Sequence, residues 1–177
     1  MARTLAAAHR TLRASDIRLA KPFHWIDVEA AHLREPPWLS PAVRNAVAGV
    51  DALQARLTPG LLHGDPAPEA FRRDGDGRIG LIDWSSTVRG PLLYDVASAA
   101  MYLGGPATAG TFLETYAAHA PLPIEEIASH LAAMLEFRWA VQADYFAHRI
   151  ATDDLTGVDS RRDNEKGLAD ACRGLGA

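Results

Sequence analysis

The chain has 177 residues, 48% of them hydrophobic and 23% charged, which suits one globular domain with a core of its own. Its formal net charge of −4 argues against a general nucleic-acid binder, which normally presents a basic face. No apolar segment approaches the roughly 20 residues that span a bilayer, and charges interrupt the N-terminal apolar run, so neither a membrane segment nor a signal peptide is expected. Cys172 is the only cysteine, which predicts a cytoplasmic protein without internal disulfides.

Apolar spacing in the N-terminal part predicts a helix over residues 2–14. A mixed segment punctuated by prolines follows over residues 15–40, and its apolar anchors are Trp25, Ile26, Val28 and Leu33. Ser40 and Pro41 predict the start of a second helix, with Ser40 as its N-cap. This helix is expected to end near Pro59-Gly60.

The middle of the chain changes to short extended runs. Leu61-Leu62-His63 is predicted to be extended, and residues 64–70 form a loop. Residues 71–73 and 78–82 flank Asp74-Gly75-Asp76-Gly77, which is typical of a β-hairpin turn. The Asp-Gly repeat also resembles the start of a calcium loop, but that loop needs a Glu at its twelfth position, where Ser85 stands, so a turn is favoured.

The remainder is predicted to be helical, over residues 94–103, 108–119, 124–150 and 161–173. The expected fold is therefore α+β and mostly helical, with one small β-hairpin. No repeat or low-complexity tract divides the sequence, which predicts a single domain over residues 1–177.

Two carboxylates stand at the ends of short apolar runs, and they are the candidates for chemistry. Asp65 follows an extended run and a glycine, so it could act as a base or orient a substrate hydroxyl. Asp83 ends the run Ile79-Gly80-Leu81-Ile82, where a metal ligand or a plain turn acid would be expected. Either acid alone could simply satisfy its own loop, whereas the pair suits a Mg²⁺-dependent phosphoryl-transfer site.

Three further residues have competing interpretations. His63 precedes the Asp65 loop and is expected to bond backbone carbonyls rather than a metal. Asp95 follows Leu92-Leu93-Tyr94 and opens a helix, so it could be an N-cap or a group that braces the Asp65 loop from behind. Cys172 lies away from any obvious base and is expected to be an ordinary helix residue.

Taken together, these motifs resemble the aminoglycoside phosphotransferase and choline kinase-like family, whose fold is protein-kinase-like. His63-Gly64-Asp65 matches the family's catalytic loop and Ile82-Asp83-Trp84 matches its metal motif. The segment from Gly90 to Ala97 looks like the family stretch that ends in Asp-Leu-Ala. The closest motif matches cover residues 61–97, and the general resemblance to the C-terminal lobe covers the whole chain.

The resemblance implies an ATP-dependent phosphotransferase that acts on a hydroxyl of a small molecule, with Mg²⁺ as cofactor. Asp65 would be the catalytic base or hydroxyl-orienting acid, with His63 beside it in the catalytic set. Asp83 would hold the Mg²⁺, and Asp95 would be structural support for the loop. The family gives no reason to expect nucleic acid or a membrane as a partner.

Two departures from the family pattern affect the expected activity. The family's second metal contact, an Asn five residues after the catalytic Asp, falls on Ala70, whose methyl group cannot coordinate a metal; Glu69 is a possible substitute. Upstream of Asp65 there is no glycine-rich turn, and Lys21 is the only lysine. The sequence therefore looks like the C-terminal lobe alone, and a missing N-terminal lobe or a partner chain would have to bind the nucleotide.

Three functions stay open at this point. The first is a small-molecule phosphotransferase of doubtful activity on its own. The second is a non-catalytic kinase-like module that binds a small molecule or a partner. The third is a helical interaction domain whose acids only cap turns.

Overall fold

The computed structural model describes residues 1–13, 23 and 26–177. The predicted anchor Trp25 and the last residue of the first predicted helix lie outside these residues. The helices are α1 (Ala2–Leu12), α2 (Leu39–Asp51), α3 (Leu93–Tyr102), α4 (Gly110–Ala117), α5 (Ile124–Ala151) and α6 (Arg161–Leu175). The strands are β1 (Pro59–Leu62), β2 (Phe71–Arg73), β3 (Ile79–Leu81) and β4 (Val88–Pro91). The predicted α+β, mostly helical fold class is confirmed.

The chain forms two compact units. The first comprises Met1–Trp25 and Gln54–Leu135, and the second comprises Ile26–Leu53 and Glu136–Ala177. The boundary falls within the long helix α5. In the part of the chain that the structure describes, no helix has both the length and the apolar character needed to cross a membrane.

The strands of the first unit form two small antiparallel sheets. Strand β1 pairs with β4, from Pro59 opposite Pro91 to Leu62 opposite Val88. Strand β2 pairs with β3, from Phe71 opposite Leu81 to Arg73 opposite Ile79. The Asp74 carboxylate accepts the backbone N–H groups of Asp76 and Arg78 at 3.0 and 2.8 Å, which confirms the predicted turn between β2 and β3.

Helix α3 is the central element of the first unit. Every residue from Leu93 to Met101 is buried, which is typical of a helix enclosed on all sides. Helix α1 packs against α4 and buries a single face, formed by Ala2, Leu5, Ala6 and His9. One position on that face is a histidine, and its polar ring must therefore find partners inside the core.

The second unit has its own core. Helix α2 buries Leu39, Val43, Ala46 and Val50 along one face. Its apolar cluster also contains Leu33, three alanines of α5 and Ala171 of α6, and the predicted anchors Ile26 and Val28 pack against it. Cys172 is half-buried on α6, and its thiol donates to the backbone oxygen of Ala177 at 3.0 Å, as expected of an ordinary helix residue.

Two boundaries of the predicted second helix are wrong. Helix α2 begins at Leu39 with Trp38 as its N-cap, so Ser40 lies in the first turn rather than at the cap. Pro41 is tolerated there because N–H groups of the first turn have no partner within the helix. The helix ends at Asp51, and Pro59 opens strand β1 instead, a place where proline is accepted because the start of a strand can lack a donor.

Strand β4 was not predicted from the sequence. Its sequence, Val88-Arg89-Gly90-Pro91, is poor in strand-forming residues. It is extended because it pairs with β1 and because Gly90 lies directly beneath the Phe23 ring, where an added Cβ would be 2.4 Å from a ring carbon. Both causes involve distant residues, so no local signal predicts this strand.

Candidate active site

The strand pairing brings two chain connections side by side. The first connection, residues 63–70, runs from β1 to β2, and the second, residues 82–87, runs from β3 to β4. Because β1 pairs with β4 and β2 pairs with β3, both connections cross between the same two sheets. Asp65 lies on the first and Asp83 on the second. The sequence motifs on residues 61–65 and 78–84 therefore belong to one region of the first unit.

His63 links the two connections. Its Nε2 donates to the backbone oxygen of Ile82 at 2.8 Å, and its ring meets the Trp84 ring edge-on with centroids 4.9 Å apart. The Asp65 N–H donates to its Nδ1 at 3.3 Å, and this acceptor role assigns the ring proton to Nε2. His63 thus bonds a backbone carbonyl, as its sequence context suggested, and holds the residue before Asp83 beside the Asp65 loop.

Gly64 allows the two connections to approach closely. Its φ is +91°, and an added Cβ would lie 2.0 Å from the backbone oxygen of Ser86. A side chain here would be strained by its backbone conformation and would also collide with a backbone atom.

We expect Gly64→Ala to lower the free energy of unfolding by about 2–6 kcal/mol, since strain at positive φ and overpacking each cost about 1–3 kcal/mol. Urea denaturation followed by circular dichroism measures this loss. Gly75→Ala is the matched control, because Gly75 has no positive φ and no heavy atom within 4 Å of an added Cβ. Equal losses for both variants would contradict the close approach at Gly64.

Asp95 holds the backbone of the Asp65 loop. Its Oδ2 accepts the His63 N–H at 2.7 Å and its Oδ1 accepts the Gly64 N–H at 2.9 Å. Asp95 is completely buried in the first turn of α3, whose N-cap is Leu92. The N-cap interpretation of Asp95 is therefore wrong, and its carboxylate contacts the loop from behind.

A histidine and a tyrosine extend this buried network. His9 of α1 contacts Asp95 Oδ2 through Nε2 at 2.9 Å and the Tyr116 hydroxyl through Nδ1 at 2.6 Å. Burial raises the pKa of the Tyr116 phenol far above its usual value, and the negative charges of Asp95 and Glu126 raise it further. Tyr116 therefore stays a neutral hydroxyl, which fits its contact with a histidine nitrogen.

Asp65 is half-buried and in contact with the last residue of α3. The Tyr102 hydroxyl donates to Asp65 Oδ1 at 2.6 Å. Asp95 and Tyr102 are seven residues apart on α3, about two helical turns. One helix thus contacts both the backbone and the proposed catalytic side chain of the loop.

Asp83 is exposed and has an unusual backbone conformation. Its φ and ψ are 62° and 69°, in the left-handed region, which side chains other than glycine adopt at some cost. The Ser85 hydroxyl donates to its Oδ1 at 2.7 Å. Strained residues of this kind are often found at functional sites, which makes Asp83 a good candidate for a ligand-binding group.

The metal-binding role of Asp83 stays a prediction. Among the described residues, no group of three or more His, Cys, Asp or Glu side chains is placed to hold a metal ion. Ala70 is buried, and its backbone oxygen accepts the Ile82 N–H at 2.9 Å, so the position of the family's Asn lies beside the Asp83 turn but provides no ligand. Mg²⁺ commonly binds through one or two carboxylates plus substrate phosphates, and a single exposed Asp83 fits that arrangement.

Three residues of this region lie outside the short sequence motifs. His9, Tyr102 and Tyr116 contact Asp95, Asp65 and His9 respectively. A histidine on the apolar face of α1 was a possible signal for His9. The tyrosines had no local signal, because their partners are distant in sequence. The interpretation of Asp65 and Asp83 as one Mg²⁺-dependent phosphoryl-transfer site, which the sequence suggested for the pair, stays a prediction.

Comparison with known proteins gives a consistent family match. A family model described as the phosphotransferase enzyme family, APH, matches residues 1–149. No curated protein matches the chain.

Several solved structures share the fold. Choline kinase LicA from Streptococcus pneumoniae superposes with a TM-score of 0.70 at 19% identity, over 99% of this chain and 63% of that one. A choline/ethanolamine kinase family protein from Mesorhizobium loti gives 0.71 at 19% identity, over 99% and 61%. Amicoumacin kinase hAmiN, in complex with AMP-PNP, Ca²⁺ and Ami, gives 0.62 at 15% identity, over 98% and 56%. The chain thus spans about three fifths of the length of these kinases.

Proposed function

Because the chain belongs to the phosphotransferase enzyme family, we propose that it takes part in transferring a phosphoryl group from ATP to a hydroxyl group of a small molecule. The observation that supports this most directly is the loop around Asp65. Its backbone is held by a buried carboxylate, and it lies beside the turn that carries Asp83. A rigid support of this kind suits phosphoryl transfer, in which positioning and electrostatics supply most of the catalysis.

Each residue has a distinct proposed role. Asp65 orients the acceptor hydroxyl and takes its proton, while His63 keeps the loop against the Asp83 turn. Asp95 supports the loop backbone. Mg²⁺ bound together with the nucleotide would neutralise charge on the phosphate oxygens, and Asp83 is the residue proposed to hold it.

The nucleotide and the rest of its site are part of the same proposal. The solved kinases are longer than this chain, and we propose that a further lobe or a partner chain contributes to nucleotide binding. The acceptor is left at the level of a small-molecule hydroxyl, since one fold serves many substrates.

The test is a phosphoryl-transfer assay on the complete protein that carries residues 1–177, purified with any partner that remains bound. Radiolabelled ATP, Mg²⁺ and a panel of amino alcohols, aminoglycosides, macrolides and sugars are incubated with it. We expect a labelled phosphoester with at least one acceptor, together with ADP. No labelled product with any acceptor, from a folded protein, would overturn the proposal.

We expect Asp83→Asn to weaken Mg²⁺-dependent ATP binding by about 10-fold or more, because even residues behind a metal ligand contribute about 10–100-fold to affinity. Asparagine tolerates the left-handed conformation and can still accept from Ser85, so the fold should be unchanged. Calorimetric titration of ATP with and without Mg²⁺ measures the effect. If the variant keeps the full Mg²⁺ dependence of the parent, Asp83 does not hold the metal.

A non-catalytic binding role is the second candidate, and Ala70 favours it. Its buried methyl group stands where the family has a metal-binding Asn. In that case ATP or a small molecule would bind without any ADP or phosphoester appearing. Calorimetry combined with product analysis in the same samples separates the two functions.

A further inference from the structure

Tyr102 makes a contact that no part of the family comparison assigns. It is the last residue of α3, and its hydroxyl donates to Asp65 Oδ1 at 2.6 Å. This distance is short for a hydrogen bond between a hydroxyl and an oxygen acceptor, as expected when the acceptor is a carboxylate. Tyr102 is half-buried, and so is Asp65. The contact is therefore partly shielded from water, which strengthens it.

The contact differs in kind from those that hold the rest of the loop. Asp95 accepts from the backbone of His63 and Gly64, and the Asp65 N–H donates to His63. These contacts fix the course of the main chain. Tyr102 acts on the carboxylate itself, and so restricts the side-chain torsions that decide where the carboxylate oxygens point.

We propose that Tyr102 is the positioning residue for the Asp65 carboxylate. The inference rests on the proposed function, in which Asp65 orients the acceptor hydroxyl and takes its proton. A carboxylate can accept several hydrogen bonds at once, so the phenol can hold the group while an acceptor approaches it. Misplacement of a catalytic group by about 1 Å can lower the rate by as much as 100-fold. A restraint on the Asp65 carboxylate is therefore expected to raise kcat.

The helix geometry explains why one element can serve both tasks. Asp95 and Tyr102 lie on α3, which is buried from Leu93 to Met101. A buried helix is a rigid support, and side chains seven residues apart face nearly the same direction. The loop backbone and the Asp65 side chain are therefore both held by the same rigid helix.

An inhibitory role for Tyr102 is also chemically reasonable, and it predicts a change in rate of the opposite sign. The phenol could occupy the place that an acceptor hydroxyl needs, and would then slow the reaction. Removing the hydroxyl would raise the rate in that case. A positioning role requires the rate to fall.

The experiment compares Tyr102→Phe with Tyr145→Phe in the complete protein, using the acceptor that gives the highest turnover. Tyr145 is half exposed on α5, and its hydroxyl accepts from Arg149, so it controls for the loss of a tyrosine hydroxyl elsewhere. We expect Tyr102→Phe to lower kcat by about 5- to 50-fold. Its KM for Mg²⁺-ATP should change less than about twofold, because only the acceptor side is affected. Tyr145→Phe should leave both parameters unchanged.

A double-mutant cycle with Asp65→Asn separates positioning from a general structural effect. A residue that acts through Asp65 has little further effect on kcat once Asp65 is replaced. A residue that only supports the fold lowers kcat by the same factor in both backgrounds. We expect the first pattern.

The outcomes are distinguishable. If the parent transfers phosphate but Tyr102→Phe matches it, exceeds it, or loses the same factor in both backgrounds, the positioning role is overturned while the proposed function stands. If the folded parent transfers no phosphate at all, the proposed function is overturned and the inference with it.

Discussion

Asp95→Ala is expected to lower the free energy of unfolding by about 3 kcal/mol or more, because it leaves three buried groups without their acceptor and each unsatisfied group costs about 1–3 kcal/mol. The variant leaves His9 Nε2 and the His63 and Gly64 N–H groups without their shared acceptor inside the core. Domains of ordinary stability have only about 5–15 kcal/mol in total. Urea denaturation should therefore show a much earlier transition.

The matched control is Asp144→Ala in the second unit. Asp144 pairs with His32 Nε2 at 2.7 Å, but the two side chains are 18% and 17% exposed, against 0% and 1% for Asp95 and His9. Solvent screens the more exposed pair, so the control should lose about 1 kcal/mol or less. Losses of the same size in both variants would mean that burial of the Asp95 network contributes little.

Asp65→Asn is expected to lower kcat for phosphoryl transfer by about 100-fold or more, within the range of 10²–10⁴ for loss of a general base. The asparagine has nearly the same shape, and its amide oxygen can still accept from Tyr102. The expected loss is therefore chemical rather than structural. Steady-state kinetics give the rate, and thermal unfolding should show little change.

Asp76→Asn is the control for this variant. Asp76 lies in the exposed turn between β2 and β3, with 77% of its side chain accessible, and no role in the site is proposed for it. Its kinetics should equal those of the parent. Nearly full activity in Asp65→Asn would show that another group receives the proton and that Asp65 is misassigned.

Much of the fold follows from local patterns that have a direct physical cause. The apolar spacing of the later segments predicted helices α3 to α6, because residues about 3.6 positions apart lie on the same face of a helix. The Asp-Gly turn predicted the β2–β3 hairpin because its backbone requires residues that tolerate unusual torsions. Strand β4 escaped prediction, since it depends on pairing with β1 and on Phe23 packing over Gly90.

The residues of the site also fall into two groups, those that short motifs predicted and those that they did not. Asp65, Asp83, His63 and Asp95 were proposed from short motifs, and the structure places the first three on two neighbouring connections, with Asp95 bonded to the loop that carries Asp65. His9, Tyr102 and Tyr116 were not proposed, because their partners lie 86, 37 and 107 residues away in sequence. Motifs record which groups a reaction needs, whereas their supports can come from any element that packs nearby.

The amino-acid sequence alone determined the helical character of the chain, the hairpin and the family. Each of these depends on neighbouring residues or on a short motif such as His63-Gly64-Asp65. Only the tertiary structure decided that β1 pairs with β4, that Asp95 contacts the loop rather than capping its helix, and that Tyr102 contacts Asp65. These features depend on which distant segments pack together. Hydrogen bonds between such segments require the packing that brings their groups within reach of each other.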